Sequence, residues 1–296
     1  MKTKKKRVRT KAQTRAKKES NIQKAQAVFL VFTLFIVVLL AYFAYAILNH
    51  SSSQISIEPT LQFKPVNQNP KLKAAIVDHL NLTLPNQTFI QTAARILTEA
   101  NYTVDYYSGE KVTVEFYRNL PTLGYDIILL RVHSAGASVL GESELQLFTS
   151  EFYSKTRHVS EQLAHQVGMV MYSADAKEAY FGISPNFVRQ CMKDEFEDTI
   201  VIMMGCDGLA GTQMANAFKD KGAKAYIGWN TSISSSRTDT STMQLLKHLI
   251  TEKKTIKQAL AETMQEVDPD PFYRSTFLYY PLEVGNQTIE AEQDSS

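Results

Sequence analysis

Residues 199–205 read Thr-Ile-Val-Ile-Met-Met-Gly and lead directly into Cys206. Residues 125–132 read Tyr-Asp-Ile-Ile-Leu-Leu-Arg-Val and lead into His133. Both runs are short, rich in aliphatic residues and bounded by turn residues, a pattern typical of strands that are buried on both faces of a parallel sheet. Ligands of open α/β sheets bind beyond the carboxyl ends of the strands. The sequence therefore predicts that a histidine and a cysteine meet at one edge of the sheet, as a base and a nucleophile.

Strand patterns and helix patterns alternate along the chain from Lys71 onward. The predicted strands cover residues 74–80, 103–107, 125–132, 145–153, 168–172, 199–205, 223–229 and 277–282, the last as an edge strand. The predicted helices cover residues 86–100, 114–120, 160–166, 185–196, 209–220, 240–252 and 255–267. This alternation predicts an α/β fold with a mostly parallel sheet and helices on both faces.

The N-terminal region differs sharply in charge from the rest of the chain. Residues 1–24 hold eleven Lys or Arg and one Glu, whereas residues 27–48 hold no charged side chain. An uncharged segment of this length predicts a transmembrane helix over 27–48, with residues 1–26 as a basic cytoplasmic tail and the main domain outside the cell membrane. The alternative is a cleaved signal peptide, because Ala44-Tyr45-Ala46 resembles a cleavage site. The basic tail is better explained by anionic lipid head groups than by nucleic acid, which is not expected as a partner.

The remaining boundaries follow from composition. Residues 49–70, rich in Ser, Pro and Asn, predict an extended stalk, 71–285 the α/β domain and 286–296 a polar tail. Six asparagines, all beyond the predicted membrane helix, begin N-x-S/T sequons and predict a glycoprotein: Asn49, Asn81, Asn86, Asn101, Asn230 and Asn286. A chain rich in Ser and Thr would also scatter such sequons by composition alone.

The surroundings of Cys206 favour a reactive thiol. Only the thiolate attacks, and the predicted helix that begins near Leu209 would direct backbone N–H groups toward the sulfur and lower its pKa. Gly205 and Gly208 would leave room for a substrate backbone. Backbone N–H groups of Ser134 and Cys206 would form an oxyanion hole.

Three stretches carry a resemblance to a known group. Residues 201–211 read Val-Ile-Met-Met-Gly-Cys-Asp-Gly-Leu-Ala-Gly, residues 214–229 end in Tyr-Ile-Gly-Trp, and a later helix pair ends in Gln-Ala-Leu-Ala-Glu at Glu262. Together with the histidine after the preceding strand, these stretches resemble the caspase-like cysteine peptidases, which include caspases, legumains, gingipains, separases and CHAT domains. The resemblance covers roughly residues 72–285.

The resemblance implies a caspase-like three-layer sandwich, a peptide or protein substrate and no cofactor or metal. His133 would be the general base and Cys206 the nucleophile. The substrate pocket would be lined by Asp78, His79, Gly205, Asp207, Trp229 and Asn230. An acidic side chain there, Asp78 or Asp207, would favour a basic residue before the scissile bond. The sequence departs from the family in having His133-Ser134 where the family usually has His-Gly, which narrows the approach to the oxyanion hole.

Structural roles for the same residues remain open. His133 can be a structural histidine at a strand end, Trp229 can pack in the core, and Cys206 can be an inert thiol or form a disulfide with Cys191. The chain would then be a catalytically inactive caspase-like module that binds peptides or partners at the cell surface. The other histidines lack metal-ligand spacing, and no Walker, dinucleotide or G-x-S-x-G motif occurs. The oligomeric state is left open.

Overall fold

The computed structural model describes residues 33, 35–40, 57–66, 72–139 and 142–289, and its strands form two sheets. In chain order the strands are β1 (Leu61–Phe63), β2 (Leu72–Asp78), β3 (Tyr102–Ser108), β4 (Ile127–Arg131), β5 (Ser134–Val139), β6 (Glu142–Phe152), β7 (Val167–Val170), β8 (Tyr180–Ile183), β9 (Ile200–Met203), β10 (Ala225–Trp229) and β11 (Phe277–Tyr280). The helices of the domain are α1 (Gln87–Glu99), α2 (Val114–Asn119), α3 (Val159–Leu163), α4 (Pro185–Cys191), α5 (Gln213–Asp220), α6 (Ser235–Leu246) and α7 (Ile256–Glu266). A π-helical turn, Lys247–Thr251, extends α6, and short 3₁₀ turns cover His79–Leu82, Gly109–Lys111, Leu120–Leu123 and Leu282–Asn286.

The larger sheet has seven strands in the order β1-β3-β2-β4-β9-β10-β11. Its five central strands run parallel, and β1 and β11 pair antiparallel at the two edges. The predicted mostly parallel sheet and the predicted edge strand near its C-terminal end are therefore confirmed. At the centre, β4 lies directly beside β9, with Leu130 opposite Met203.

The side chains of the central strands alternate between two cores. In β4, Ile127 and Leu129 pack with α1, α6 and α7, whereas Ile128 and Leu130 pack with α2, α4 and α5. All four side chains are fully buried. A strand with both faces covered needs an unbroken apolar run, which explains the composition of β4. The prediction of helices on both faces is confirmed.

The smaller sheet is antiparallel, has the order β5-β6-β8-β7 and is inserted between β4 and β9 in the sequence. Leu147 of β6 and Ile183 of β8 pack into the same core as α2, α4 and α5. The predicted strands at 145–153 and 168–172 correspond to β6 and β7. The sequence did not predict β5 and β8, because neither shows an alternating apolar pattern that separates it from a loop.

The start of α5 differs from the prediction in a way that matters for the site. This helix begins at Gln213 rather than near Leu209. The backbone N–H of Asp207 donates to the Thr231 carbonyl at 3.1 Å, and that of Leu209 donates to the Trp229 carbonyl at 2.7 Å. Because these donors bind the last residue of β10 and the segment after it, residues 207–209 form a turn and not the first turn of a helix.

Much of the N-terminal prediction lies outside the described residues. This applies to the predicted basic tail (1–26) and to most of the predicted transmembrane segment (27–48). Residues 33 and 35–40, which are described, are helical and exposed, and they belong to a unit separate from the one that begins at Ile57. Among the described residues, no helix combines the length and the apolar character needed to cross a bilayer.

The two predicted ends of the domain also differ from the structure. Leu61–Phe63, within the predicted stalk (49–70), is strand β1 and pairs with β3. Beyond the predicted end of the domain at residue 285, Ile289 still packs against the core that contains α1. The domain is therefore longer at both ends than composition indicates, and residues 290–296 of the predicted tail lie outside the described residues.

Candidate functional site

The structure brings His133 and Cys206 to the same edge of the larger sheet. His133 lies three residues beyond Leu130, and Cys206 lies three residues beyond Met203, its partner in the adjacent strand. The Ser134 hydroxyl donates a short hydrogen bond to the Cys206 carbonyl and ties the two strand ends together. The predicted parallel, neighbouring placement of the two strands is confirmed.

His133 is partly buried and has a hydrogen-bond partner that the sequence did not predict. Its Nε2 lies 3.0 Å from the hydroxyl of Thr83, which follows the 3₁₀ turn after β2. The ring packs against Tyr172, at 4.8 Å between centroids, and against Phe148, at 5.8 Å. Burial, with a contribution from the Arg131 charge, lowers the pKa of His133 to about 4. The imidazole is therefore neutral at neutral pH.

Cys206 is also partly buried, and its sulfur is held by the backbone of Ile233. The Sγ atom lies 3.5 Å from the Ile233 nitrogen, which donates to it, and 3.6 Å from the Ile233 carbonyl oxygen. Burial raises the pKa of the Cys206 thiol, and the Asp207 charge acts in the same direction, against the hydrogen bond from Ile233. The predicted lowering of this pKa by a helix N-terminus is wrong for this arrangement, because α5 begins only at Gln213.

The described hydrogen bonds include none between the imidazole of His133 and the sulfur of Cys206. Each side chain instead binds a different neighbour, Thr83 in one case and Ile233 in the other. In this arrangement the thiol of Cys206 and the imidazole of His133 lie at neighbouring strand ends, each with its own hydrogen-bond partner. Hydrogen bonds between catalytic groups are often loose in unliganded sites.

Gly205, a predicted pocket residue, lies in close contact with the other strand end. A Cβ atom at this position would lie 2.2 Å from the Val132 carbonyl oxygen and 2.9 Å from the Ser134 hydroxyl. Gly208 is similarly enclosed, with the Met203 side chain 3.0 Å and Gly228 3.5 Å from its Cβ position. The space at the Cβ position of both glycines is therefore taken up by the protein itself, most tightly at Gly205.

We expect Gly205→Ala to lower the free energy of unfolding by about 1–3 kcal/mol, since the added methyl group has no space without a backbone shift. Chemical denaturation at pH 7 measures the loss. The matched control is Gly211→Ala, where the nearest atom to the Cβ position is the flexible tip of Gln213 and a much smaller loss is expected. Equal losses in the two variants would contradict the close approach at Gly205.

Asp78, a predicted pocket residue, belongs to a buried charge network. The Arg131 guanidinium contacts Asp78 Oδ1 at 2.7 Å through Nη1 and Asp239 Oδ1 at 2.7 Å through Nε, and its Nη2 donates to the Leu84 carbonyl at 2.9 Å. Both side chains of the Arg131–Asp78 pair are buried. Asp78 is therefore engaged inside the fold. The prediction required this carboxylate to be available to a basic substrate side chain, and it is not.

The network also fixes the segment next to His133. Burial raises the pKa of Asp78 even though the Arg131 charge opposes this.

Asn86 spans the same region: its Oδ1 atom caps α1, and its Nδ2 atom donates to Asp239 at 2.9 Å. Because both amide atoms of Asn86 are used inside the fold, a glycan at this predicted sequon would disrupt the network.

His79 is fully buried beside His133, with 5.9 Å between the ring centroids. Neither ring nitrogen has a hydrogen-bond partner of normal geometry among the described residues. Burial and the nearby His133 lower the pKa of His79 to about 3, with the backbone of Thr149 only partly offsetting them. His79 thus contacts the predicted base and is enclosed by the protein, and it does not face an open pocket.

The other predicted pocket residues divide into two groups. Trp229 is buried, donates its indole N–H to the Thr238 hydroxyl at 2.9 Å and stacks on Phe277 at 4.1 Å between centroids, so it is a core residue. Asp207 and Asn230 remain at least partly exposed near Cys206. The Asn230 side-chain oxygen accepts a hydrogen bond from the Thr276 nitrogen at 2.8 Å. Of the predicted carboxylates, only Asp207 is left for a basic substrate side chain.

Both cysteines, Cys191 and Cys206, are free thiols, so the alternative of a disulfide between them is not what the structure has.

Elsewhere in the described part of the chain, His248, Glu252 and Glu262 lie close enough to hold a metal ion, a grouping that the sequence did not indicate. Lys254 lies within this group, with its ammonium 2.5 Å from Glu252 and in contact with Glu262. The lysine supplies the positive charge that a metal would otherwise bring.

No family model matches the sequence, and no curated protein matches it either.

Proposed function

We propose that this protein is a cysteine peptidase of the caspase-like type, in which Cys206 is the nucleophile and His133 the general base. The observation that carries the proposal is the matched position of the two residues, each three residues beyond a paired position in the parallel neighbours β4 and β9. The hydrogen bond from the Ser134 hydroxyl to the Cys206 carbonyl holds these two strand ends together. The resemblance around Cys206 supports the same assignment.

In the proposed reaction, His133 accepts the thiol proton while the sulfur attacks the carbonyl carbon of the peptide bond. The resulting tetrahedral oxyanion collapses, the amine leaves with the proton from the imidazolium, and an acyl-enzyme remains. Water, deprotonated by the same imidazole, then releases the acid and restores the thiol. The low pKa of His133 and the raised pKa of Cys206 favour proton transfer during attack over a standing ion pair.

We assign the protein to the cell membrane in the same proposal, with its main domain outside. The support is the uncharged stretch 27–48 directly after a tail with eleven basic residues. Extraction of cell membranes with alkaline carbonate tests the anchor, because a spanning chain stays with the membrane and a peripheral one is released.

The second candidate is a catalytically inactive module of the same fold that binds peptides. One observation favours it: His133 and Cys206 each bind a different neighbour and not each other. The two candidates differ in whether Cys206 reacts faster than an ordinary partly buried thiol.

Labelling of the purified chain with a thiol-directed peptidyl electrophile tests the proposal, and Cys191 provides an internal control. Like Cys206, Cys191 is partly buried and has a pKa raised by burial. We expect the wild type and Cys191→Ala to be labelled and Cys206→Ala not to be labelled. Labelling of His133→Ala should be slower by at least about a hundredfold. Labelling of Cys191 as fast as Cys206, or no effect of His133→Ala, would favour the inactive module.

The same labelling addresses the proposed preference for a basic residue before the scissile bond, which now depends on Asp207. Electrophiles with Lys or Arg at that position should react faster than neutral ones, and Asp207→Asn should remove the difference. If the wild type reacted equally fast with basic and neutral electrophiles, this part of the proposal would be wrong.

A further inference from the structure

The backbone of Ile233 is the nearest hydrogen-bond partner of the candidate nucleophile. Its N–H points at the Cys206 sulfur from 3.5 Å. An N–H group that donates to sulfur stabilises the thiolate more than the thiol, because the charged sulfur is the better acceptor. The position of this one amide therefore affects how readily Cys206 ionises.

Ser232 and Ser234, the two neighbours of Ile233 in the chain, are hydrogen-bonded to the loop between α7 and β11. The backbone N–H of Ser234 donates to Asp270 Oδ2 at 2.9 Å, and the Ser234 hydroxyl donates to the same oxygen at 2.6 Å. On the other side, the Ser275 hydroxyl donates a short hydrogen bond to the Ser232 carbonyl. Ile233 itself is thus held between two attachments, of which Asp270 makes the stronger.

Asp270 is built into this loop as a buried anion, with 2 % of its surface exposed. Its second oxygen, Oδ1, accepts the backbone N–H groups of Phe272 at 2.9 Å and Tyr273 at 3.0 Å. Burial alone would raise the pKa of this carboxyl, but the hydrogen bonds outweigh it and hold the pKa at about 2. A fully ionised carboxylate with four donors gives the loop a fixed shape at any pH at which the protein would work.

We propose that Asp270 is a positioning residue, which fixes the Ile233 amide against the Cys206 sulfur and so sets the reactivity of that thiol. It acts through Ser234 and Ile233 and touches neither the sulfur nor His133 in the described contacts. Its relevance to catalysis rests on the proposed function, whereas its effect on the thiol does not. Among the described residues that shift the pKa of Cys206, the charged one is Asp207.

The test is the pH dependence of Cys206 alkylation by iodoacetamide in the full chain, in a Cys191→Ala background so that one thiol is observed. Asp270→Asn keeps the size of the side chain but replaces one acceptor oxygen by an NH₂ group, which repels the Ser234 donors or leaves Phe272 and Tyr273 unpaired. We expect the midpoint of the alkylation profile to move to higher pH and the rate at pH 7 to fall about tenfold, since a hydrogen bond to a charged group contributes on this order.

The control is Thr255→Ala, which removes the capping box of α7 without touching the Ile233 segment. This variant loses stability but should leave the alkylation profile unchanged, which separates positioning from general loosening. Ser275→Ala, which breaks only the second attachment, should give a smaller shift in the same direction and replaces Asp270→Asn if that variant fails to fold. A folded Asp270→Asn or Ser275→Ala chain with the wild-type profile would overturn the proposal.

Iodoacetamide is small and needs neither peptide recognition nor His133, so the result is independent of the proposed function. A slowed alkylation in Asp270→Asn together with absent peptidyl labelling in the wild type would support the role of Asp270 and refute the peptidase. Unchanged alkylation in Asp270→Asn together with specific peptidyl labelling of the wild type would support the peptidase and refute the role of Asp270.

Discussion

Arg131→Met should lower the free energy of unfolding by about 3–5 kcal/mol, because removing one partner of a buried ion pair leaves its counter-charges without compensation. Here two carboxylates, Asp78 and Asp239, would be left, and both are buried. The methionine fills most of the volume, so the loss reports the charge and the hydrogen bonds more than a cavity. The Leu84 carbonyl would also lose the N–H that fixes the segment beside His133.

Denaturation by guanidinium chloride at pH 7 measures this loss through the transition midpoint. The control is Arg95→Met, which removes an exposed i,i+4 pair with Glu99 and should change stability by less than about 0.5 kcal/mol. If Arg131→Met were no more harmful than Arg95→Met, the network would not hold the ends of β2 and β4 as described.

The free energy of unfolding should fall by several kcal/mol as the pH drops from about 6.5 to about 3. The pKa of His133 is lowered to about 4 and that of His79 to about 3, from an ordinary value of 6.5. A group whose folded-state pKa is lowered contributes stability above its unfolded pKa and loses it as the pH falls through the folded value. Each unit of difference is about 1.4 kcal/mol, so two histidines suffice for a large effect.

Other groups modify this profile without reversing it. Asp270, with a pKa of about 2, adds a loss in the same direction at lower pH. Asp78 acts oppositely, because its raised pKa contributes stability that is lost as the pH rises above its ordinary value of 3.8. The sum predicts acid sensitivity that begins near the ordinary pKa of histidine and not near that of carboxylates.

His79→Phe distinguishes this cause from general acid unfolding. Among the described residues, the ring nitrogens of His79 have no hydrogen-bond partner of normal geometry, so the variant should keep wild-type stability at pH 7 within about 1.5 kcal/mol. Between about pH 6.5 and pH 3 its stability should fall much less steeply. His165→Asn, at an exposed histidine with a positive φ of 54°, serves as control and should retain the wild-type slope. A His79→Phe chain with the full wild-type slope would show that other groups cause the acid sensitivity.

The sequence predicts well those features that short-range patterns determine. The apolar runs before His133 and Cys206 predict two buried strands, and the alternation of elements predicts that these strands are parallel. Helix α1 lies within one residue of its predicted bounds, because Asn86 caps it and its apolar face repeats regularly. The meeting of His133 and Cys206 at one sheet edge follows from these local patterns and the topology rule.

What the sequence could not predict depends on contacts between distant segments. Arg131 and Asp239 are 108 positions apart, and nothing local shows that they pair. Nothing local shows the contact between Thr83 and His133 either. For Arg131, an arginine at the end of a buried strand does indicate that an acidic partner must exist. The sequence does not predict the late start of α5, because the apolar spacing of this helix continues into a turn whose N–H groups bind the end of β10 and the loop after it. A single sequence also does not show that the Val132 carbonyl fills the space at the Cβ position of Gly205.

The equal three-residue spacing from Leu130 to His133 and from Met203 to Cys206 has a consequence for engineering and for natural variation. One residue more or less in either connection would displace one reacting group along the strand by about 3.3 Å, more than proton transfer between them can tolerate. An exchange of side chain at Arg131 or Gly205 costs stability but keeps the spacing, whereas an insertion or deletion changes the spacing itself. A scan of single-codon insertions should therefore find the two connections far less permissive than the surface loops of the smaller sheet.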